Sequence, residues 1–227
     1  MKKIGIVGGL GPEATADYYR IIIDAFQRRQ KGMYPAVIIY SLNISEFPHV
    51  DKERNKLINW LANAVNSLYK AGADFGLIAA GTPHVVFDDV KSLSPIPLLS
   101  IVEETCKAVE ILRLKKVGLL GTKITMSRDF FQKVFSKRGI SLVVPTEQEQ
   151  DYINAKLFTE IMFHKIVDDT RQALLKIVKR LLDHESIEGV ILGCTELPLI
   201  LTKDEYGIPF LNTTRIHAES AVDYCLG

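Results

Sequence analysis

Short runs that are apolar at nearly every position alternate along this chain with longer amphipathic runs. The short runs are Lys3–Gly8, Ala36–Leu42, Phe75–Ala80, Pro97–Ile101, Val117–Leu120, Ser141–Val144, Gly189–Leu192 and Pro209–Leu211. Continuous apolar runs of this length read as strands covered on both faces. The longer runs are Glu13–Arg28, Glu53–Lys70, Val102–Leu112, Arg128–Lys137, Gln150–Asp183 and Thr213–Cys225, and they read as helices, the fifth of them interrupted. Strand alternating with helix predicts βαβ units with right-handed crossovers, hence an α/β fold of mostly parallel sheets.

The pattern also repeats. Lys3-Ile4-Gly5-Ile6-Val7-Gly8-Gly9 returns as Lys116-Val117-Gly118-Leu119-Leu120-Gly121-Thr122, 113 positions later. Gly76-Leu77-Ile78-Ala79-Ala80-Gly81-Thr82 returns as Gly189-Val190-Ile191-Leu192-Gly193-Cys194-Thr195 at the same offset. Ile96-Pro97-Leu98-Leu99-Ser100 returns as Ile208-Pro209-Phe210-Leu211-Asn212, 112 positions later. Two pseudo-symmetric lobes follow, residues 1–113 and 114–227, each a mostly parallel sheet flanked by helices, with an active site between them. The C-terminal helix is free to pack back on the first lobe.

A chain of 227 residues is long enough to bury a substantial core. The formal charge is +1, and the densest basic stretch, Gln27–Gly32, falls where a helix ends and complements its dipole. Nucleic-acid binding is therefore not expected. No apolar run reaches the ~20 residues that span a bilayer, and Met1-Lys2-Lys3 leads into a strand rather than a signal sequence. The expectation is a soluble cytoplasmic protein without a membrane partner. Cys106, Cys194 and Cys225 match no metal or redox spacing, so no metal site is expected, and Cys106 and Cys225 read as packing residues.

Parallel sheets bind ligands at the carboxyl ends of their strands. Here those ends are Gly8-Gly9-Leu10-Gly11-Pro12, Gly81-Thr82-Pro83-His84, Gly121-Thr122-Lys123-Ile124-Thr125, Gly193-Cys194-Thr195-Glu196 and Asn212-Thr213-Thr214. Their glycines and hydroxyls offer donors to a carboxylate or phosphate. Gly9-Leu10-Gly11-Pro12-Glu13-Ala14 fits a dinucleotide fingerprint, but the second strand ends in Tyr40-Ser41-Leu42-Asn43, with no acid for a ribose. There is no phosphate-binding Walker sequence either, so neither a dinucleotide site nor a nucleotide triphosphatase is expected. Cys194, between a strand and an expected helix start, would feel a positive helix end that favours thiolate. Glu196 reads equally as a partner of that thiol or as a first-turn acid. His217 reads as a buried helix residue or a second partner, and His84 as a cap or a ligand contact.

These residues carry a resemblance. Ile4–Pro12, Thr82-Pro83-His84, Leu119–Thr122 with Thr125-Met126 and, most specifically, Gly193-Cys194-Thr195-Glu196 make the chain similar to the aspartate/glutamate racemase family over nearly its whole length. The resemblance implies two α/β lobes, no cofactor, and two cysteines that abstract and return the Cα proton on opposite faces of an amino acid. The family's first cysteine, in a Cys-Asn-Thr-x-His context, falls on Ala80 and its asparagine on Gly81. Cys194 and Thr82 are then the catalytic candidates. Gly9, Leu10, Gly11, Gly81, His84, Thr122, Thr125, Thr195 and Glu196 are the candidate substrate contacts. No cation for an aspartate side chain is evident in Asn43–His49; Lys52, Arg54 and Lys165 are the substitutes.

The leading reading is a pyridoxal-independent amino-acid racemase with an altered first catalytic position. A single-cysteine decarboxylase or isomerase of the same fold, and a non-catalytic carboxylate-binding homologue, are the alternatives. A homodimer is the expected assembly.

Overall fold

The computed structural model describes residues 1–227, the side chain of Pro12 excepted. The chain divides into two compact units, Met1–Glu104 with Thr214–Gly227, and Thr105–Thr213.

In unit 1, β1 (Ile4–Gly8), β2 (Val37–Ser41), β3 (Phe75–Ile78) and β4 (Leu98–Leu99) form a parallel sheet in the order β2-β1-β3-β4. Helices α1 (Pro12–Arg29), α2 (Arg54–Lys70), α3 (Phe87–Leu93) and the start of α4 (Ile101–Ile111) accompany it. The central strands are buried at every residue, which is why they read as unbroken apolar runs. Along α1, Ala14, Tyr18, Ile22, Ala25 and Phe26 are buried while Tyr19 and Arg20 face water, a stripe at helical spacing. The same core takes Ala218, Ala221, Val222 and Cys225.

In unit 2, β5 (Lys116–Leu120), β6 (Ser141–Val143), β7 (Gly189–Leu192) and β8 (Phe210–Asn212) repeat the arrangement in the order β6-β5-β7-β8, again all parallel. Its helices are the rest of α4, α5 (Lys123–Ser127), α6 (Phe130–Ser136), α7 (Glu147–Thr159) and α8 (Asp168–Glu185). Helix α9 (Thr213–Leu226) follows β8 and joins unit 1 from Thr214 onward. The α7–α8 break, expected inside Gln150–Asp183, passes through His164 at φ 55°. Sequence reading misses α3 and α5, each under two turns long.

The repeat extends to the way each sheet is pinned. In unit 1 the Lys3 N–H donates to the Asp74 carboxylate (2.6 Å), just ahead of β3. In unit 2 the Lys115 N–H and the Lys116 N–H (3.2 Å) donate to the Glu188 carboxylate, just ahead of β7. An acid before the third strand thus holds the start of the first in both units.

Candidate functional site

Cys194 lies just beyond β7. The preceding Gly193 N–H donates to Leu120 O at 2.7 Å, drawing the chain across the end of β5. A Cβ at Gly193 would meet Leu120 O and Leu119 Cδ1 at 2.9 Å, so only glycine fits there. The chain then turns, Leu197 N–H donating to Cys194 O at 3.1 Å. This turn folds Glu196 back onto the thiol. Cys194 Sγ donates to Glu196 Oε2 at 2.9 Å, and Thr195 Oγ1 donates to the same oxygen at 2.8 Å. Cys194 and Glu196 are both buried.

The expected thiolate is not what this geometry favours. Burial, and next the negative charge and hydrogen bond of Glu196, push the Cys194 thiol well above its ordinary pKa. Backbone N–H groups of Glu196 and Thr195 oppose this only in part. The helix expected after Cys194 is a single 3₁₀ turn, Leu197–Leu199, too short for an appreciable dipole. The resting group is a protonated thiol held against a carboxylate.

Thr122 and Thr125 sit beneath this strand end. Thr122 caps α5, its hydroxyl accepting from Thr125 N–H at 3.2 Å and lying 3.0 Å from the Thr125 hydroxyl. Thr125 is fully buried, and its methyl packs where side chains on Gly121 or Gly193 would stand. The Thr213 hydroxyl donates to Leu192 O at 2.7 Å. Thr125, read from sequence as a substrate contact, here supports the Cys194 segment from below.

The strand ends of unit 1 have different chemistry. Gly9 holds φ 78°, and a Cβ there would lie 2.0 Å from Leu42 O. Its N–H donates to Thr15 Oγ1 (2.9 Å), which in turn donates to Gly11 O (3.1 Å). Thr15, which sequence reading missed, therefore takes the loop donor expected to serve a ligand. Leu10 and Gly11 are buried beside it.

After β3 come Ala80, 6% exposed and without a titratable proton, then Gly81 and Thr82, which opens a 3₁₀ turn ending at Val86. His84 Nδ1 donates to Ala80 O (2.9 Å), and its Nε2 accepts from Ile101 N–H (3.2 Å). With both nitrogens committed to backbone, His84 ties the end of β3 to the start of α4 rather than presenting a ring to a ligand. Burial lowers its pKa to about 4. His217 is spent in the same way: Nδ1 accepts from the Tyr18 hydroxyl (2.9 Å) and Nε2 donates to Leu99 O (3.1 Å). Burial, and then the nearby His84, lower its pKa to about 3. Arg54, a candidate cation for a substrate carboxylate, pairs with Asp89 at 2.6 Å. Among the described residues no cluster of three or more His, Cys, Asp or Glu could hold a metal ion. No helix among them is long and apolar enough to cross a membrane.

Two matching sheets and a cysteine at the end of the seventh strand restrict the comparison to few folds. The Asp/Glu/hydantoin racemase profile matches residues 7–221. The chain belongs to this family. It is similar to the broad-specificity amino-acid racemase RacX of Bacillus subtilis, 26% identical over 223 residues covering 96% of each chain. A solved structure assigned to the Asp/Glu racemases of Yersinia pestis superposes with a TM-score of 0.89 at 31% identity, covering 100% of both chains. An aspartate racemase homologue from Pyrococcus horikoshii superposes at 0.86 with 36% identity, again over 100% of both.

Proposed function

We propose that this chain is a pyridoxal-independent amino-acid racemase or epimerase in which Cys194 moves the Cα proton on one face. The observation that carries the reading is the buried Cys194–Glu196 pair at 2.9 Å. Proton transfer at Cα needs a group that gives a proton in one direction and takes it in the other. In the giving direction the Cys194 thiol protonates a carbanion and becomes thiolate. The taking direction is the reverse of that step: with the Sγ proton released to solvent and Glu196 still a carboxylate, the thiolate removes the Cα proton and returns to thiol. Hydroxyls and backbone N–H groups at the strand end around Cys194, those of Thr195 among them, would hold the substrate carboxylate as charge moves onto it.

The opposite face is the unusual part of the proposal. Alanine cannot carry a proton, so Ala80 supplies none. Thr82, the next hydroxyl along that segment, serves in this reading as the second catalytic group or as the anchor of a water that does. A threonine hydroxyl is a poor base, so the reaction is slower on that face than on the thiol face.

The test is exchange of the α-proton into D2O over a panel of amino acids, each enantiomer separately. Cys194→Ala is expected to lower exchange about 10²–10⁴-fold, the usual worth of a positioned acid–base group. Ala80→Cys is expected to raise racemisation. The absence of exchange on every amino acid tested sinks the proposal. A second reading, decarboxylation with protonation by the single thiol, is favoured by the proton-less Ala80 and the protonated resting Cys194. Product chirality separates the two, since one-face protonation yields a single enantiomer.

A further inference from the structure

Unit 2 holds a cavity of about 230 Å³ at the break between α5 and α6, and none of Cys194, Thr195 and Glu196 lines it. Helix α5 stops at Ser127, and Arg128 is extended (φ −95°, ψ 156°), so two short helices leave a gap over the sheet. The floor of the gap is apolar. Leu119, Met126 and Phe131 are buried there, Leu142 is half-buried and Val144 is 38% exposed. Val117 pairs with Leu142, so Leu119 and Val144, two residues further along, fall on the same face of the sheet.

The mouth is polar and carries both signs of charge. Arg128, Asp129 and Gln132 line it, and all three are exposed. Asp129 stands at the N-cap of α6, yet its carboxylate makes no capping bond to that helix. It pairs with Lys133 at 3.0 Å instead, both side chains lying largely in water, where such a pair is worth little. The volume limits the occupant. An apolar cavity of about 150 Å³ takes benzene, and pockets for drug-sized ligands begin at about 300 Å³. This cavity suits one branched aliphatic group or one ring. A phosphate or a plain carboxylate at the mouth meets the Asp129 carboxylate, and a plain amine meets the Arg128 guanidinium. An α-amino acid carries both charges on one carbon and answers both residues.

We propose that this cavity is a second ligand site, which binds a free α-amino acid with an apolar side chain. The side chain lies on the Leu119, Met126 and Leu142 floor, the carboxylate at Arg128 and the ammonium at Asp129.

Met126 is one of four methionines, so carbon-13 labelling of methionine methyl groups gives an NMR signal from the cavity floor, assigned with Met126→Leu. Leucine and phenylalanine, titrated to ~20 mM, are expected to shift that signal saturably, with a Kd on the order of millimolar for so small a ligand. Glycine lacks the apolar group, N-acetyl-leucine the ammonium and leucinamide the carboxylate, and each is expected to bind about tenfold more weakly or worse. Arg128→Ala and Asp129→Ala are expected to weaken leucine by about tenfold. Leu142→Trp, which fills the cavity, is expected to abolish the shift; if it fails to fold, the two surface variants decide. No shift of the Met126 signal with either amino acid overturns the proposal. So does leucine binding of unchanged affinity in the cavity variants, which places the ligand elsewhere, or leucinamide or N-acetyl-leucine binding as tightly as leucine. None of these readouts depends on racemase activity.

Discussion

Gly9→Ala separates a glycine kept for the fold from one kept for a ligand. The substitution asks alanine to hold φ 78°, a left-handed conformation costing a non-glycine residue about 1–2 kcal/mol. It also drives a Cβ to 2.0 Å from Leu42 O and 2.5 Å from Leu42 N, both backbone atoms that no rotamer change can move. Relief requires Leu42 to retreat, breaking its 2.9 Å bond to Gly8 O. Leaving the buried Gly8 O without its partner costs about 1–3 kcal/mol. Together the two effects come to roughly 2–5 kcal/mol, a large share of the ~5–15 kcal/mol that holds a typical domain folded. Gly32→Ala is the control, because Gly32 has φ 83° but nothing within 4 Å of its would-be Cβ. It carries only the conformational cost. With a urea m-value near 3 kcal/mol per molar, Gly9→Ala should lower the unfolding midpoint by roughly 0.7–1.7 M, and by clearly more than Gly32→Ala. Equal midpoints for the two variants would refute the collision argument and return Gly9 to the ligand.

Two further outcomes follow from charge. Glu196→Gln removes the carboxylate that helps hold the Cys194 proton, so alkylation of Cys194 by iodoacetamide at fixed pH should speed up, read by mass spectrometry of the modified peptide. An unchanged rate would show that burial alone sets the thiol. The second concerns acid stability. Unfolded histidine protonates near pH 6.5, whereas folded His84 and His217 resist down to about 4 and about 3. The unfolded state then binds more protons, so stability is complete above pH 6.5 and falls as pH drops from there towards 4. The limiting slope is about 1.4 kcal/mol per pH unit for each histidine. Unfolding midpoints across this window should show the loss, and His217→Asn should shallow it; a variant that keeps the full slope would clear His217.

Much of this was legible in the sequence for an identifiable reason. Strands such as Ile4–Gly8 and Gly189–Leu192 are buried on both faces, so their apolar runs had no competing reading. The glycines at the strand ends were also visible, but their cause was not. Gly9 answers to Leu42 and Gly193 answers to Leu120, neighbours supplied by the sheet rather than by local sequence. Cys194 was found by position, while its charge state depends on a turn that brings Glu196 back onto it. His217 was ambiguous because its partner Tyr18 lies 199 residues away. That Thr122 caps α5 and takes the Thr125 N–H was not legible, because a five-residue helix gives too little periodicity to reveal it.

The route of the chain through its two units bears on how the protein is made. Unit 2 is contiguous, and its core can close as soon as Thr213 has left the ribosome. Unit 1 begins first but lacks Ala218, Ala221, Val222 and Cys225 until all of unit 2 has been synthesised. During that interval the apolar side of its sheet, Ile4 and Phe75 included, stays open to chaperones or to misassociation. Lys2 N–H meets Cys225 O at 3.1 Å. A circular permutant that links residue 227 to residue 1 and starts near Thr213 would therefore present unit 1 as one continuous stretch. Such a chain should close its unit 1 core during synthesis without the delay that the natural order imposes.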